Sequence, residues 1–226
     1  MEIAILLYPG FTALNAIGPA EVFSSLQRAR VSFVAEKAGR VLNDTGILSV
    51  PVQTTLADLP APEVIVVPGG PGCYAAGRRE SVLAWLRQAA ATARWTTSVC
   101  TGALILGAAG LLRGARATTH WNARDELAAS GATYVPERYV RHGSLVTAAG
   151  VSAGLDMALF VARELTDLPT AQAIQLALEY DPQPPLPMIT PPARTEDVTI
   201  HQLRVMLQRA NTAPRPVRRR SALARA

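Results

Sequence analysis

Apolar and polar positions follow two rhythms along this chain, and the changes of rhythm mark its elements. "EIAILLY" (2–8) is a nearly unbroken apolar run, the pattern of a parallel strand covered on both faces. "NAIGPAEVFSSLQRA" (15–29) then places its apolar residues at helical intervals, with Asn15 as cap and Pro19 early. A second strand is predicted at "VSFVAEK" (31–37). After it comes "GRVLNDTGILSVPVQTT" (39–55), a hairpin or irregular excursion broken by Gly39, Gly46 and Pro51. "EVIVVPGG" (63–70) is a buried strand ending in a glycine-rich turn, and "ESVLAWLRQAAATA" (80–93) is an amphipathic helix. "WTTSV" (95–99) and the helix from Thr101 repeat the unit. "ATTHW" (117–121) is a short strand opening onto the helix "NARDELAAS", and "RYVRHGSLVTAAG" (138–150) is a hairpin around His142-Gly143. "VSAGLDMALFVARELT" (151–166) and "PTAQAIQLALEY" (169–180) are two further helices. Strands alternating with helices predict an α/β domain over residues 1–180, with a mainly parallel sheet and helices on both faces. Residues 181–226 form a second region: a Pro-rich arm, a helix in "EDVTIHQLRVMLQRA" (196–210) and a basic disordered tail.

Charge adds a boundary to this picture. The net charge of +5 suggests nucleic acid, yet residues 1–180 carry 14 basic and 14 acidic side chains, so the whole excess lies in the tail. The domain is therefore not expected to bind nucleic acid. Its start, "MEIAILLYPGF", lacks the basic leader of a secretory signal, and no apolar run reads as a membrane span. A cytoplasmic location with no membrane partner is expected. Two cysteines, Cys73 and Cys100, form neither a disulfide framework nor a metal-ligand spacing, so neither metal nor cofactor is expected.

Chemistry concentrates where strands end. In open α/β sheets ligands bind beyond the carboxyl ends of the strands. Residues 14–19, 68–72 and 100–102 all fall there. Cys100 stands at a strand-to-helix turn, the nucleophile-elbow position with sulfur in place of a hydroxyl. Projection from the sheet and the start of the helix at Thr101 predict an exposed, readily ionised thiol, against the alternative of a buried structural cysteine. Gly102 lets neighbouring backbone come close, and the amides of Gly70 and Thr101, with Gly69 beside them, are candidates for an anion pocket. Cys73 carries no such signal and reads as incidental. "GPGCYA" (70–75) formally matches a dinucleotide fingerprint, but no Asp or Glu occurs between Glu80 and Asp125, and Pro71 removes an amide.

These motifs together, "PGG" (68–70), "SVCTGALILGAAGLL" (98–112), "ATTHW" (117–121) and "AGVSAGLDMAL" (149–159), resemble the ThiJ/PfpI superfamily, which is related to class I glutamine amidotransferases. The branch they look most like holds isocyanide hydratase and the sensor domains of AraC-type regulators. The likeness runs from about Glu2 to Pro185. It implies a flavodoxin-like fold, a homodimer, a small-molecule substrate and Cys100 as nucleophile. Protease-like members carry His directly after the cysteine; Thr101 stands there, which disfavours a peptidase. Isocyanide hydratases carry an aspartate where this chain has Asn15, and an amide cannot exchange a proton at neutral pH. Glu21 and His120 are the candidate substitutes, whereas Asp44 reads as turn chemistry and His142 and His201 as loop and tail residues. Tyr74, Trp121 and Val151 are candidates for the outer pocket wall. The expected function is a cysteine-dependent enzyme that resembles isocyanide hydratase, with chemistry altered by Asn15. The alternatives are a stand-alone ligand or redox sensor, or a biosynthetic enzyme acting on another small electrophile.

Overall fold

The computed structural model describes residues 1–185. It shows a seven-stranded sheet with helices on both faces. Strand β1 (Glu2–Leu6) lies near its centre. Helix α1 (Ala13–Ser24) follows, then β2 (Arg30–Ala35), the hairpin pair β3 (Gly39–Leu42) and β4 (Ser49–Val52), and the short β5 (Thr54–Thr55). Next come β6 (Val64–Val67), α2 (Cys73–Ala76), α3 (Glu80–Ala90), β7 (Trp95–Val99) and α4 (Gly102–Ala108). The chain continues through β8 (Arg116–Ala117), a 3-10 turn (Trp121–Ala123), α5 (Arg124–Ala129) and β9 (Thr133–Tyr134). It then forms β10 (Tyr139–His142), β11 (Leu145–Ala148), α6 (Ala153–Leu165) and α7 (Leu168–Ala177).

The strand order is β10-β11-β7-β6-β1-β2-β5, and every neighbouring pair is parallel except β10 with β11. From β1 the chain runs outward through β2 to β5, then returns to β6 on the other side and runs outward again. The order reverses between β1 and β6, the point at which open α/β sheets place ligands beyond the carboxyl ends of their strands. Val64–Val67 and Ile3–Leu6 are fully buried, as unbroken apolar runs predict for strands covered on both sides. Helices α1 and α6 pack together on one face; α2, α3 and α5 gather around α4 on the other.

The flavodoxin-like expectation is met, with local differences. Helix α1 begins two residues before Asn15, because Thr12 supplies the extended cap conformation. It ends at Ser24, and Pro19 lies in its interior. The predicted helix from Thr101 to Leu112 stops at Ala108, followed by Gly110 with φ +82°. The strand expected at 117–121 shrinks to β8, since the following residues turn towards the site. The sequence signalled no helix at α2. The described residues up to Gln183 form one compact unit. The expected helix at 196–210 and the basic tail, with His201, lie outside the described residues, as does the Pro-rich arm beyond Pro185.

Candidate functional site

The site is built on turns pressed against one another. Strand β7 ends at Val99, and Cys100 still donates its N–H to the Ala148 carbonyl (2.9 Å). Its backbone then enters the left-handed region at φ +60°. For a residue with a side chain that conformation costs roughly 1–2 kcal/mol, and packing must hold it. The packing is visible at two glycines. A Cβ on Gly102 would lie 2.0 Å from the Val67 carbonyl oxygen. One on Gly69 would lie 2.5 Å from the Thr101 nitrogen and 2.9 Å from Cys100 Cβ. Only glycine admits this approach, so the turns after β6 and β7 fit together as a unit. The turn after β1 joins them: Thr12 N–H donates to the Gly69 carbonyl (2.8 Å) and Gly72 N–H to the Gly10 carbonyl (3.1 Å). On the far side, Thr119 Oγ1 donates to the Cys100 carbonyl (2.9 Å) and anchors the segment bearing His120.

The expectation of an exposed, easily ionised thiol is corrected. Cys100 is 7% exposed, and burial pushes its pKa up to about 11. The Thr101 amide, the Asn15 side chain and the Thr101 hydroxyl pull in the opposite direction, while Cys73 adds to the rise. Desolvation outweighs the opposing hydrogen bonds. The thiol is therefore protonated at neutral pH.

Asn15 reaches this centre because α1 is drawn against α6 and β7. Gly18 meets Leu155, and Gly154 meets Val99 and Pro19. The Asn15 side chain is fully buried, and neither its Nδ2 nor its Oδ1 completes a hydrogen bond. The amide lies close enough to the Cys100 sulfur to favour its anion, a weaker contact than a formed hydrogen bond. A buried amide left unpaired costs about 1–3 kcal/mol. Pro19, four residues on, also has no N–H to give the Asn15 carbonyl.

The other candidates separate. Glu21 sits on the exposed side of α1, because six residues advance the helix by roughly 240° beyond a full turn. It does not share the buried face with Asn15, so its candidacy as acid or base is withdrawn. His120 is half-buried; its Nδ1 lies 2.5 Å from Asn122 Oδ1, and its ring leans on Trp121. Burial lowers its pKa, so the imidazole is neutral at pH 7. The Gly70 N–H donates to Thr101 Oγ1 (2.9 Å) and is not free for a substrate anion in this state. The Thr101 amide instead favours the Cys100 anion. Asp44 acts as turn chemistry: Thr45 N–H (2.8 Å) and Thr12 Oγ1 (2.7 Å) both donate to its carboxylate. Tyr74 is 53% exposed, and Trp121 and Val151 are half-buried.

Two residues were missed. Tyr8 is buried and donates its hydroxyl to the Pro68 carbonyl (2.6 Å), and burial holds its pKa well above the ordinary value, with both cysteines contributing. Cys73, taken as incidental, is 1% exposed, and the Thr101 hydroxyl, which donates to the Gly70 carbonyl (3.4 Å), opposes the burial-driven rise of both thiols. The closing "LLY" of β1 and the "GGPGC" run were the available signals, since both end on the carboxyl-end side of the sheet.

Comparison with known proteins agrees with this fold. The DJ-1/PfpI family profile matches residues 1–164. The chain is 46% identical over 185 residues to an isonitrile hydratase from Pseudomonas putida, covering 82% of this chain and 81% of that protein. A crystal structure of a ThiJ/PfpI family protein from Pseudomonas syringae superposes with a TM-score of 0.81 at 39% identity, covering 92% of this chain and 84% of that one. An AraC family transcriptional regulator from Pseudomonas putida shares the fold alone, with a TM-score of 0.68 at 20% identity over 78% of this chain and 98% of that one. No helix among the described residues is long and apolar enough to cross a membrane.

Proposed function

This chain belongs to the DJ-1/PfpI family, and from that premise we propose that it hydrates small isocyanides to N-substituted formamides, with Cys100 as nucleophile. The observation that carries the reading is the Cys100 backbone at φ +60°. A cysteine serving only as a small apolar filler has no reason to occupy a strained conformation at a strand-to-helix turn. The sulfur bonds to the terminal isocyanide carbon; water then releases the formamide and restores the thiol. Thr101 steadies the sulfur through its amide and hydroxyl, and Asn15 sets its polar surroundings. Gly69 and Gly102 hold the turns at contact distance. His120, tethered through Thr119, borders the site.

The proposed steps are written on the thiol, the isocyanide and water alone. We propose further that the protein acts in the cytoplasm as a homodimer. Ile47 and Leu48, 89% and 37% exposed in the β3–β4 connection, together with Leu14 at 46%, support an apolar face for a second copy. Light scattering at the monomer mass removes the dimer. For the activity, the test is incubation with an alkyl isocyanide and detection of the matching formamide by mass spectrometry. Product from the wild type and none from Cys100→Ser supports the reading; equal product from both discards it.

A further inference from the structure

The reaction proposed above divides into two halves with different proton needs, and the site is equipped for only one. In the first half the thiol adds across the terminal carbon. Sulfur bonds to that carbon, the thiol proton moves to the same carbon, and the product is a thioformimidate, Cys–S–CH=N–R. No third group is required, because the protonated thiol brings the hydrogen the carbon takes up. In the second half water bonds to the thioformimidate carbon. One water proton ends on nitrogen, the other on departing sulfur, and the C–S bond breaks to give R–NH–CHO and the free thiol. Here water must be deprotonated while nitrogen is protonated, and the alkylated sulfur no longer holds a proton to lend.

Among the described residues, the groups acting on the sulfur are the Thr101 amide, the Asn15 amide, the Thr101 hydroxyl and the Cys73 thiol. None of them is a base at neutral pH. No carboxylate or imidazole is among them: the Tyr8 hydroxyl donates to the Pro68 carbonyl, the Asp44 carboxylate accepts from Thr12 and Thr45, His120 meets Asn122 through its Nδ1, and Glu21 faces outward. The fully buried Asn15, both of whose amide atoms lack partners, occupies the place from which a base would reach the sulfur. We propose, on the reading of the preceding subsection, that Asn15 makes hydrolysis the slow half, so that this chain accumulates as the Cys100 thioformimidate during turnover.

The experiment mixes the wild-type protein with saturating alkyl isocyanide at neutral pH, quenches in acid and weighs the intact chain. Most of the chain is expected to carry the mass of one whole isocyanide, mapped by peptide to Cys100. After removal of excess isocyanide, the adduct decays at the steady-state rate of formamide release. Asn15→Asp is expected to shorten the adduct lifetime by roughly 10²–10⁴-fold, the usual contribution of a general acid or base, and to leave the quenched chain mostly unmodified. Where Asn15→Asp does not fold, Asn15→Ala replaces it, with adduct decay accelerating in proportion to added formate. Steady formamide production with less than a tenth of the wild-type chain modified overturns the inference but leaves the activity intact. So does an adduct lifetime unchanged in Asn15→Asp, or unmoved by formate in Asn15→Ala. Neither formamide nor adduct from the wild type removes the proposed activity, and the inference with it.

Discussion

The two cysteines of this chain share an environment but not a backbone. Both are buried, Cys73 at 1% and Cys100 at 7% exposure, burial raises the pKa of each, and the Thr101 hydroxyl opposes that rise in both. Cys73 opens the short helix α2, with its N–H on the Gly70 carbonyl (3.0 Å). Cys100 sits at φ +60° between a strand and a helix, under two glycines that admit no side chain. Burial raises both, so acidity does not single out Cys100 as the reactive thiol. What does is the strained turn, which presents one sulfur along the line where the β6 and β7 turns meet. On the proposed reading, backbone placement and not acidity selects Cys100 over Cys73 as the nucleophile.

The sharpest break of the comparison is loss of each sulfur in turn. Cys100→Ser is expected to lower formamide production by at least about 10⁴-fold, since removing a covalent nucleophile removes the pathway. Cys73→Ser keeps volume and hydrogen bonding and is expected to stay within roughly threefold of wild type. Comparable losses in the two variants, measured by product mass spectrometry, remove the distinction between them.

Alkylation tests the ionisation side of the argument. A thiol whose pKa is raised to about 11 is mostly protonated at pH 7, and raising the pH increases its thiolate. Labelling of Cys100 by iodoacetamide is expected to rise roughly tenfold per pH unit above 7, up to a plateau near the pKa of the buried thiol. A plateau near pH 7, followed at the peptide level, would mean that hydrogen bonds from Thr101 and Asn15 outweigh desolvation.

The glycines under Cys100 come next in size. Gly102→Ala sets a Cβ 2.0 Å from the Val67 carbonyl oxygen, which is backbone and cannot swing aside. A loss of about 3 kcal/mol is expected, or roughly 6–12 °C in Tm, with activity falling further as β6 and β7 separate. Gly110→Ala, where a Cβ would meet nothing within 4 Å, is the control: its φ of +82° makes it costly only through backbone conformation, about 1 kcal/mol. Equal melting shifts for the two would show that close approach adds nothing to the assembly of the site.

Much of this was legible in the sequence for a physical reason. Strands buried on both faces leave apolar runs, and the parallel order follows from the helices between them, so β1, β6 and β7 stand out as "EIAILLY", "EVIVVPGG" and "WTTSV". The position of Cys100 followed from the same boundaries. Its exposure did not, because burial depends on how closely Gly69 and Gly102 bring other turns over the sulfur. Helical phase could have excluded Glu21, since it faces away once the start of α1 is known; that start was hidden by Thr12, whose hydroxyl caps nothing in the helix and bonds Asp44 instead. Tyr8 and Cys73 were overlooked because each reads as an ordinary core residue until the three turns are brought together.

The smallest effect probes the strain itself. Replacing Cys73 by Gly removes a buried side chain and adds backbone freedom to a helix, two losses that act in one direction and total about 2–3 kcal/mol. Replacing Cys100 by Gly loses a similar side chain but releases the left-handed penalty of roughly 1–2 kcal/mol, so its two terms oppose. Cys100→Gly is therefore expected to melt within about 2–3 °C of wild type, while Cys73→Gly melts lower by roughly 4–12 °C. If the two variants lose the same stability, the Cys100 backbone holds no strain for glycine to relieve, and the turn would not distinguish one thiol from the other.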